Sequence, residues 1–116
     1  MTVLASPALR PTFEVTVVRA DATRAVLQAY GVLDVAAAER LSAVVLGQLA
    51  AGRRFVRLDV SGLRMPDRAA LMTLVRAHKT FLDARGTLIL TGVGPQLAHL
   101  LRRTDLDRTL LVADPY

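Results

Sequence analysis

The stretch from Phe55 to Val75 constrains the chain most. Val56, Leu58 and Val60 alternate with Arg57 and Asp59, the period-two signature of a strand, and Leu71, Leu74, Val75 and Leu82 then recur at helical spacing. Ser61-Gly62 and Pro66-Asp67 between them are breakers. The reading is strand, short polar loop, helix. Whatever the loop presents therefore sits at the carboxyl end of a strand and the amino end of a helix, the edge of an α/β sheet where binding usually happens.

The rest of the chain supplies partners for this unit. Residues 1–12 carry Pro7 and Pro11 without periodicity and are expected to form a loosely ordered arm. Phe13 to Val18 and Ala25 to Tyr30 read as an antiparallel hairpin turning near Asp21-Ala22. Gly31 is expected to break the second strand, and Asp34 to cap a helix from about Val35 to Ala51 by accepting from its free N–H groups, worth about 1 kcal/mol. Leu41, Val44, Val45 and Leu49 form the buried stripe of that helix, with Glu39, Arg40 and Gln48 elsewhere, and Gly52 ends it.

A second helix is expected from about Asp67, its N-cap, to Ala84, stopped by Gly86. Thr87 to Thr91 is a short apolar strand, so strand, helix and strand make a βαβ unit with parallel strands. Pro95 opens a third helix at a position that needs no N–H, Leu97, Leu100 and Leu101 pack it down, and Thr109 to Val112 adds a last strand. The product is one α/β domain over residues 13–113 with a tail at 114–116. Its sheet is mixed, with four to five strands, and the helices pack mainly on one side.

Composition narrows what such a domain does. At 116 residues the chain is one domain by length and buries enough surface for a real core, which Leu, Val and Ala must build because Trp is absent and aromatics are 4%. Cysteine is absent, which excludes disulfides, thiolate chemistry and Cys-based metal sites and agrees with a reducing compartment. There is no eighteen-residue apolar run and no signal sequence, so a cytoplasmic protein is expected. Lys79 is the one lysine among the fifteen basic residues, a usage that suggests a bacterium of high genomic GC content. The net charge of +5 permits acidic partners, but the arginines are spread from Arg10 to Arg108 without an aromatic platform, so nucleic acid is not expected to be one of them.

Catalytic readings fail on their parts. Asp34, Asp59 and Asp67 could gather at one sheet edge around a metal, but the acidic pair and late lysine of a phosphate-accepting receiver are missing, and capping and loop-fixing roles account for all three. His78 falls on the apolar stripe of the second helix and is expected to be partly buried, and His99 is expected on the surface of the third helix. Neither has a nucleophile at a meaningful spacing. Gly92-Val93-Gly94-Pro95 reads as a tight turn into a helix, since Pro95 removes a donor a phosphate cradle would use. No enzyme, metal or cofactor is expected.

The loop is different. Arg64, Met65, Pro66, Asp67, Arg68 and Ala69 place an apolar Met, a rigid Pro and two flanking arginines at a helix start, and Met72, Thr73 and Arg76 are the next helical positions expected to be exposed. Met and Arg are enriched at protein interfaces, and Met adapts to irregular pockets.

Asp59-Val60-Ser61, followed by Met65-Pro66-Asp67-Arg68-Ala69-Ala70-Leu71, resembles the signature of STAS domains, the bacterial anti-sigma-factor antagonists: Asp-Leu-Ser, a few residues, an apolar residue, then Asp-Ser-Ser/Thr-Gly-Leu. Gly31-Val32-Leu33-Asp34 is similar to the family's Gly-x-Leu-Asp turn, and Leu106-Asp107-Arg108 to its ending before the last strand; the likeness runs from about Phe13 to Val112. The resemblance implies an STAS-like fold and a protein-binding module whose partner, through residues 64–76, is an anti-sigma factor or related ATP-binding kinase-like protein. In that family the second Ser/Thr after the aspartate accepts a phosphate from the partner, and the added charge of about −1.5 to −2 separates the complex. This chain has Ala69 there, with Arg68 in place of the neighbouring serine and Ala70 in place of the glycine. Phosphorylation at the usual position is therefore not expected; Ser61 and Thr73 are the nearest hydroxyls. The alternative is an STAS-like domain that binds a nucleotide or apolar small ligand beside the basic loop.

Overall fold

The computed structural model describes residues 13–64, 68–104 and 111–112. The arm at 1–12, Met65, Pro66 and Asp67, the Leu106-Asp107-Arg108 segment and the tail at 114–116 lie outside the described residues. Eight elements follow in chain order: β1 (Phe13–Ala20), β2 (Arg24–Val32), α1 (Val35–Ala50), β3 (Phe55–Arg64), α2 (Arg68–Asp83), β4 (Thr87–Thr91), α3 (Pro95–Arg103) and β5 (Leu111–Val112). They build a five-stranded sheet in the order β1-β2-β3-β4-β5. The first pair is antiparallel and the three others are parallel, so the sheet is mixed as expected.

Strand alternation decides which face the helices cover. Register aligns Ala25 with Val56 and Leu88, and Leu27 with Leu58 and Leu90, in two rows across β2, β3 and β4. All six side chains are buried, together with Leu41 and Val45 of α1, Leu71, Leu74, Val75 and Phe81 of α2 and Leu101 of α3. Fully burying one such aliphatic side chain is worth about 1.5–3 kcal/mol, so these rows carry much of the stability. The alternate positions Gln28 and Arg57 are exposed, and the sheet is covered on one side.

Local chemistry sets the element ends. Asp21 Oδ1 accepts from the backbone N–H groups of Thr23 and Arg24 at 2.9 and 2.8 Å, closing the β1–β2 turn and holding the carboxyl below its usual range. Asp34 caps α1 as its position implied, with Oδ1 accepting from Ala37 N–H at 2.8 Å. Arg40 ties α1 to β1 by standing 5.2 Å over the Phe13 ring and donating to the Phe13 carbonyl at 3.3 Å.

Several expectations need correction. Gly31 does not end β2, which continues to Val32, and Ser61-Gly62 does not end β3, which continues to Arg64. A register shift absorbs the extra β3 residue, since Gln28 pairs with Asp59 but Tyr30 with Gly62. Gln48 belongs to the buried side of α1 at 9% exposure; its amide donates to the Val44 carbonyl and its Oε1 accepts from Arg53 at 2.8 Å, which satisfies the group inside. Leu82 is 52% exposed, because the phase of α2 turns the larger Phe81 inward instead. His78 is more buried than expected, at 3% exposure, and its Nδ1 has no hydrogen-bond partner among the described residues.

The stop of α2 also differs in mechanism. Arg85, not Gly86, takes the left-handed conformation at φ 62°. Arg85 N–H donates to Leu82 O at 3.0 Å and Gly86 N–H to Phe81 O at 2.6 Å, the paired bonds of a Schellman cap. Gly86 is needed for room: a Cβ there would lie 2.6 Å from the Arg54 carbonyl oxygen. Because that contact is backbone, Gly86→Ala is expected to destabilise the domain by about 1–3 kcal/mol, read as a lowered urea midpoint with an unchanged m-value.

Candidate functional site: the carboxyl edge of the sheet and the start of the second helix

Parallel pairing of β3 with β2 and β4 brings the carboxyl ends of all three to one edge. At that edge Asp59 Oδ1 accepts from Ser61 N–H at 2.9 Å, the loop-fixing role its sequence position implied. The turn after β4 passes close by. Gly92 has φ 71°, and a Cβ there would meet Asp59 Oδ1 at 2.6 Å, so both backbone conformation and space require glycine. Gly94 precedes α3 without a side-chain cap, and Pro95 takes the first turn, so the Gly-x-Gly-Pro stretch is a turn into a helix. Asp67 lies outside the described residues, and among those described no three His or carboxylate side chains gather as metal ligands.

The loop candidates divide into those described and those not. Met65, Pro66 and Asp67 lie outside the described residues. Arg64 is exposed at the end of β3, where its carbonyl accepts from Leu33 N–H at 2.8 Å. Arg68 and Ala69 are exposed at the start of α2, Met72 is half-buried one turn later, and Arg76 is exposed beyond it. These four share one side of the helix, as the spacing 68, 69, 72, 76 dictates.

Thr73 departs from the expectation of exposure: it is 9% exposed, its hydroxyl donating to the Ala69 carbonyl at 3.5 Å and accepting from Arg76 at 3.4 Å. Those bonds let a polar residue take an inward position. Its hydroxyl is spent within the helix.

Sequence reading missed a groove beside Arg64. Val32, Leu63, Leu97 and Leu100 line it, with His99 and Arg103 at its rim, in a depression of about 480 Å³ between the ends of β2 and β3 and helix α3. Leu63, Leu97 and Leu100 were legible as apolar, but that they face the same space as Arg64 depends on the β3 extension. His99 is exposed on α3, as expected.

Charge at the start of α2 runs against helix energetics. The first turn of α2 contains no acidic residue, and Arg68 is its first residue. A cation near the positive end of a helix dipole is unfavourable by about 0.3–1 kcal/mol. Arg68→Glu is expected to reverse the sign and raise stability by about that amount in thermal or urea unfolding; a lowered midpoint would show that Arg68 instead supports the local fold.

The family model for the STAS domain matches residues 14–114. Comparison with curated protein sequences gives no match. Among solved structures, an anti-sigma factor antagonist from Mycobacterium paratuberculosis superposes with a TM-score of 0.73 at 19% identity, covering 94% of this chain and 89% of its own. The anti-sigma factor antagonist SpoIIAA in its unphosphorylated form superposes with a TM-score of 0.68 at 17% identity, covering 87% of each chain. The Bacillus cell fate determinant SpoIIAA in its phosphorylated form gives 0.63 at 17% identity, covering 87% of this chain and 90% of its own. Likeness at these identities is a likeness of fold, and with the matched family model it leads to one conclusion: the chain belongs to the STAS domain family.

Proposed function

We propose that this domain is a protein-binding regulator of the anti-sigma-factor-antagonist kind, not an enzyme, and that it works in the bacterial cytoplasm. Its partner is an anti-sigma factor or a related ATP-binding kinase-like protein. The observation that carries this reading is the side of α2 bearing Arg68, Ala69, Met72 and Arg76 at the edge of an STAS fold. A solvated helix side normally carries acids among its bases, and this one offers a methionine between arginines. That composition suits a partner with an acidic rim around an apolar pocket. The apolar groove of Val32, Leu63, Leu97 and Leu100 extends the surface beyond Arg64. Met65, Pro66 and Asp67 are assigned to it by their place in the sequence alone, between Arg64 and Arg68. No described helix is long and apolar enough to cross a membrane.

Ala69 decides how such a partner is released. Its side chain has no hydroxyl, so no phosphate ester forms there, and the small exposed position permits close docking. Thr73 is a poor substitute acceptor because its hydroxyl is bonded inside the helix at Ala69 and Arg76. On this reading the charge that separates phosphorylated relatives from their partners is never installed at this site, and binding persists until something else ends it.

Two experiments test the reading. In capture from host lysate, the unaltered protein should retain an ATP-binding kinase-like anti-sigma factor that Met72→Asp and Arg68→Glu lose by about tenfold or more, as burying a charge against an apolar pocket demands. Equal retention by both variants would place the interface elsewhere. Ala69→Ser, incubated with the captured kinase and ATP, should gain the mass of one phosphate and then release the partner; no gain would show that Arg68 or Ala70 also prevents recognition.

A further inference from the structure

The side of the sheet turned away from the helices has its charges sorted by row. Register places Arg24, Phe55 and Thr87 in one row across β2, β3 and β4, and Val26, Arg57 and Ile89 in the next. The irregularity in β1 after Val17 sets Arg19 opposite Val26 and so adds it to the second row. The third row is Thr16, Gln28, Asp59 and Thr91, and the fourth is Glu14, Tyr30 and Gly62. Arg19, Arg24 and Arg57 thus occupy the two rows at the amino ends of the parallel strands, and Glu14 and Asp59 the two rows beyond.

These charges are not matched within the chain. Among the described residues neither Arg19 nor Arg57 has an ion-pair partner. Asp59 uses one oxygen on Ser61 N–H, and Glu14 is hydrogen-bonded to Tyr30. The rows are also partly apolar: Phe55 is 50% exposed and Tyr30 40%, and Val26 and Ile89 are half-buried between the arginines. The face is therefore an unpaired basic half beside an acidic half, with an aromatic ring in each.

We propose that two copies of this chain pack through this face, sheet on sheet, about a two-fold axis that crosses the strands between the second and third rows. Such an axis reverses strand direction, so the second row of one copy faces the third row of the other, and the first faces the fourth. Arg57 then stands opposite Asp59 of the second copy, twice by symmetry. Arg24 comes to the Glu14 and Tyr30 end of the second copy, and the Phe55 ring lies over its Gly62, where no side chain bars it. An axis along the strands would instead set each row against itself, arginines against arginines, so charge selects the first arrangement. Four strands about 4.8 Å apart and four rows about 6.7 Å apart give a face of about 500 Å² before side-chain relief. That is below the roughly 800 Å² per partner of a standard interface, so the dimer is a weak one, with a dissociation constant on the order of micromolar. The helices lie on the outer sides of the pair, and the α2 surface stays free.

Sedimentation equilibrium of the whole protein, from about 1 μM to 1 mM, brackets the dissociation constant expected of so small an interface. A monomer–dimer equilibrium is expected, weakened about tenfold or more by Arg57→Glu, which sets acid against acid at both symmetric contacts. Lys79→Glu, exposed on the helix side, should leave it unchanged. Mixing Arg57→Glu with Asp59→Arg should restore association, because each contact again pairs opposite charges. A second measurement holds should Asp59→Arg fail to fold. The chain has no cysteine, so Val18→Cys, 58% exposed on β1 beside the axis, carries one spin label per copy. Two such labels should lie within about 20 Å in the dimer, and labels at Lys79→Cys beyond about 40 Å, since two sheets and two helix layers separate them. A monomer throughout the range, equal affinity in Arg57→Glu, or labels closer at residue 79 than at residue 18 would overturn the proposal.

Discussion

Everything in this domain depends on β3 being paired in parallel on both sides while burying only one of its faces. Val56, Leu58 and Val60 lie under the helices, and their register with Leu27 and Leu90 locks the neighbouring strands to the same inside and outside. A slip of one residue would expose the whole row, so the apolar pattern holds the register firmly. Parallel pairing then sends the carboxyl ends of β2, β3, β4 and β5 to one edge and their amino ends to the other, while antiparallel β1 runs the opposite way. The edge with Asp59, Gly92 and the start of α2 is one result, and the arginine-lined opposite end is another.

The start of α2 breaks a local charge preference. A cation stands at the positive end of the helix, an exposed alanine follows it in the first turn, and a methionine one turn later is left half-covered. Natural sequences that violate a local preference at one place usually do so at a functional site. The neighbouring groove of Leu63, Leu97 and Leu100 is a product of the β3 extension, so the surface is larger than the loop that signalled it. On the proposed reading, family membership is the context in which such a surface docks on another protein, and Ala69 offers no hydroxyl to a kinase.

Elements with a strong period were legible from the residues: the hairpin, the Asp34 cap, the βαβ crossover and Pro95 at the start of α3 all stand where local chemistry puts them. Errors gathered where tertiary contact overrides local preference. Gly31 and Gly62 read as breakers, yet a neighbouring strand holds both in the ladder. Thr73 and Gln48 read as outward-facing, yet hydrogen bonds to Ala69, Arg76, Val44 and Arg53 make them acceptable inside.

The arginines show the same divide. Arg19, Arg24, Arg57 and Arg85 look dispersed because sequence distance is all that a linear reading measures, and on that ground nucleic acid was not expected as a partner. Period-two and period-3.6 patterns determined which segments are strands and helices, since those periods arise from the geometry of a single chain segment. Which distant side chains share a face was decided by strand order, by the irregularity after Val17 and by the loops meeting at Arg54 and Gly86. Those are relations between segments, and only packing establishes them.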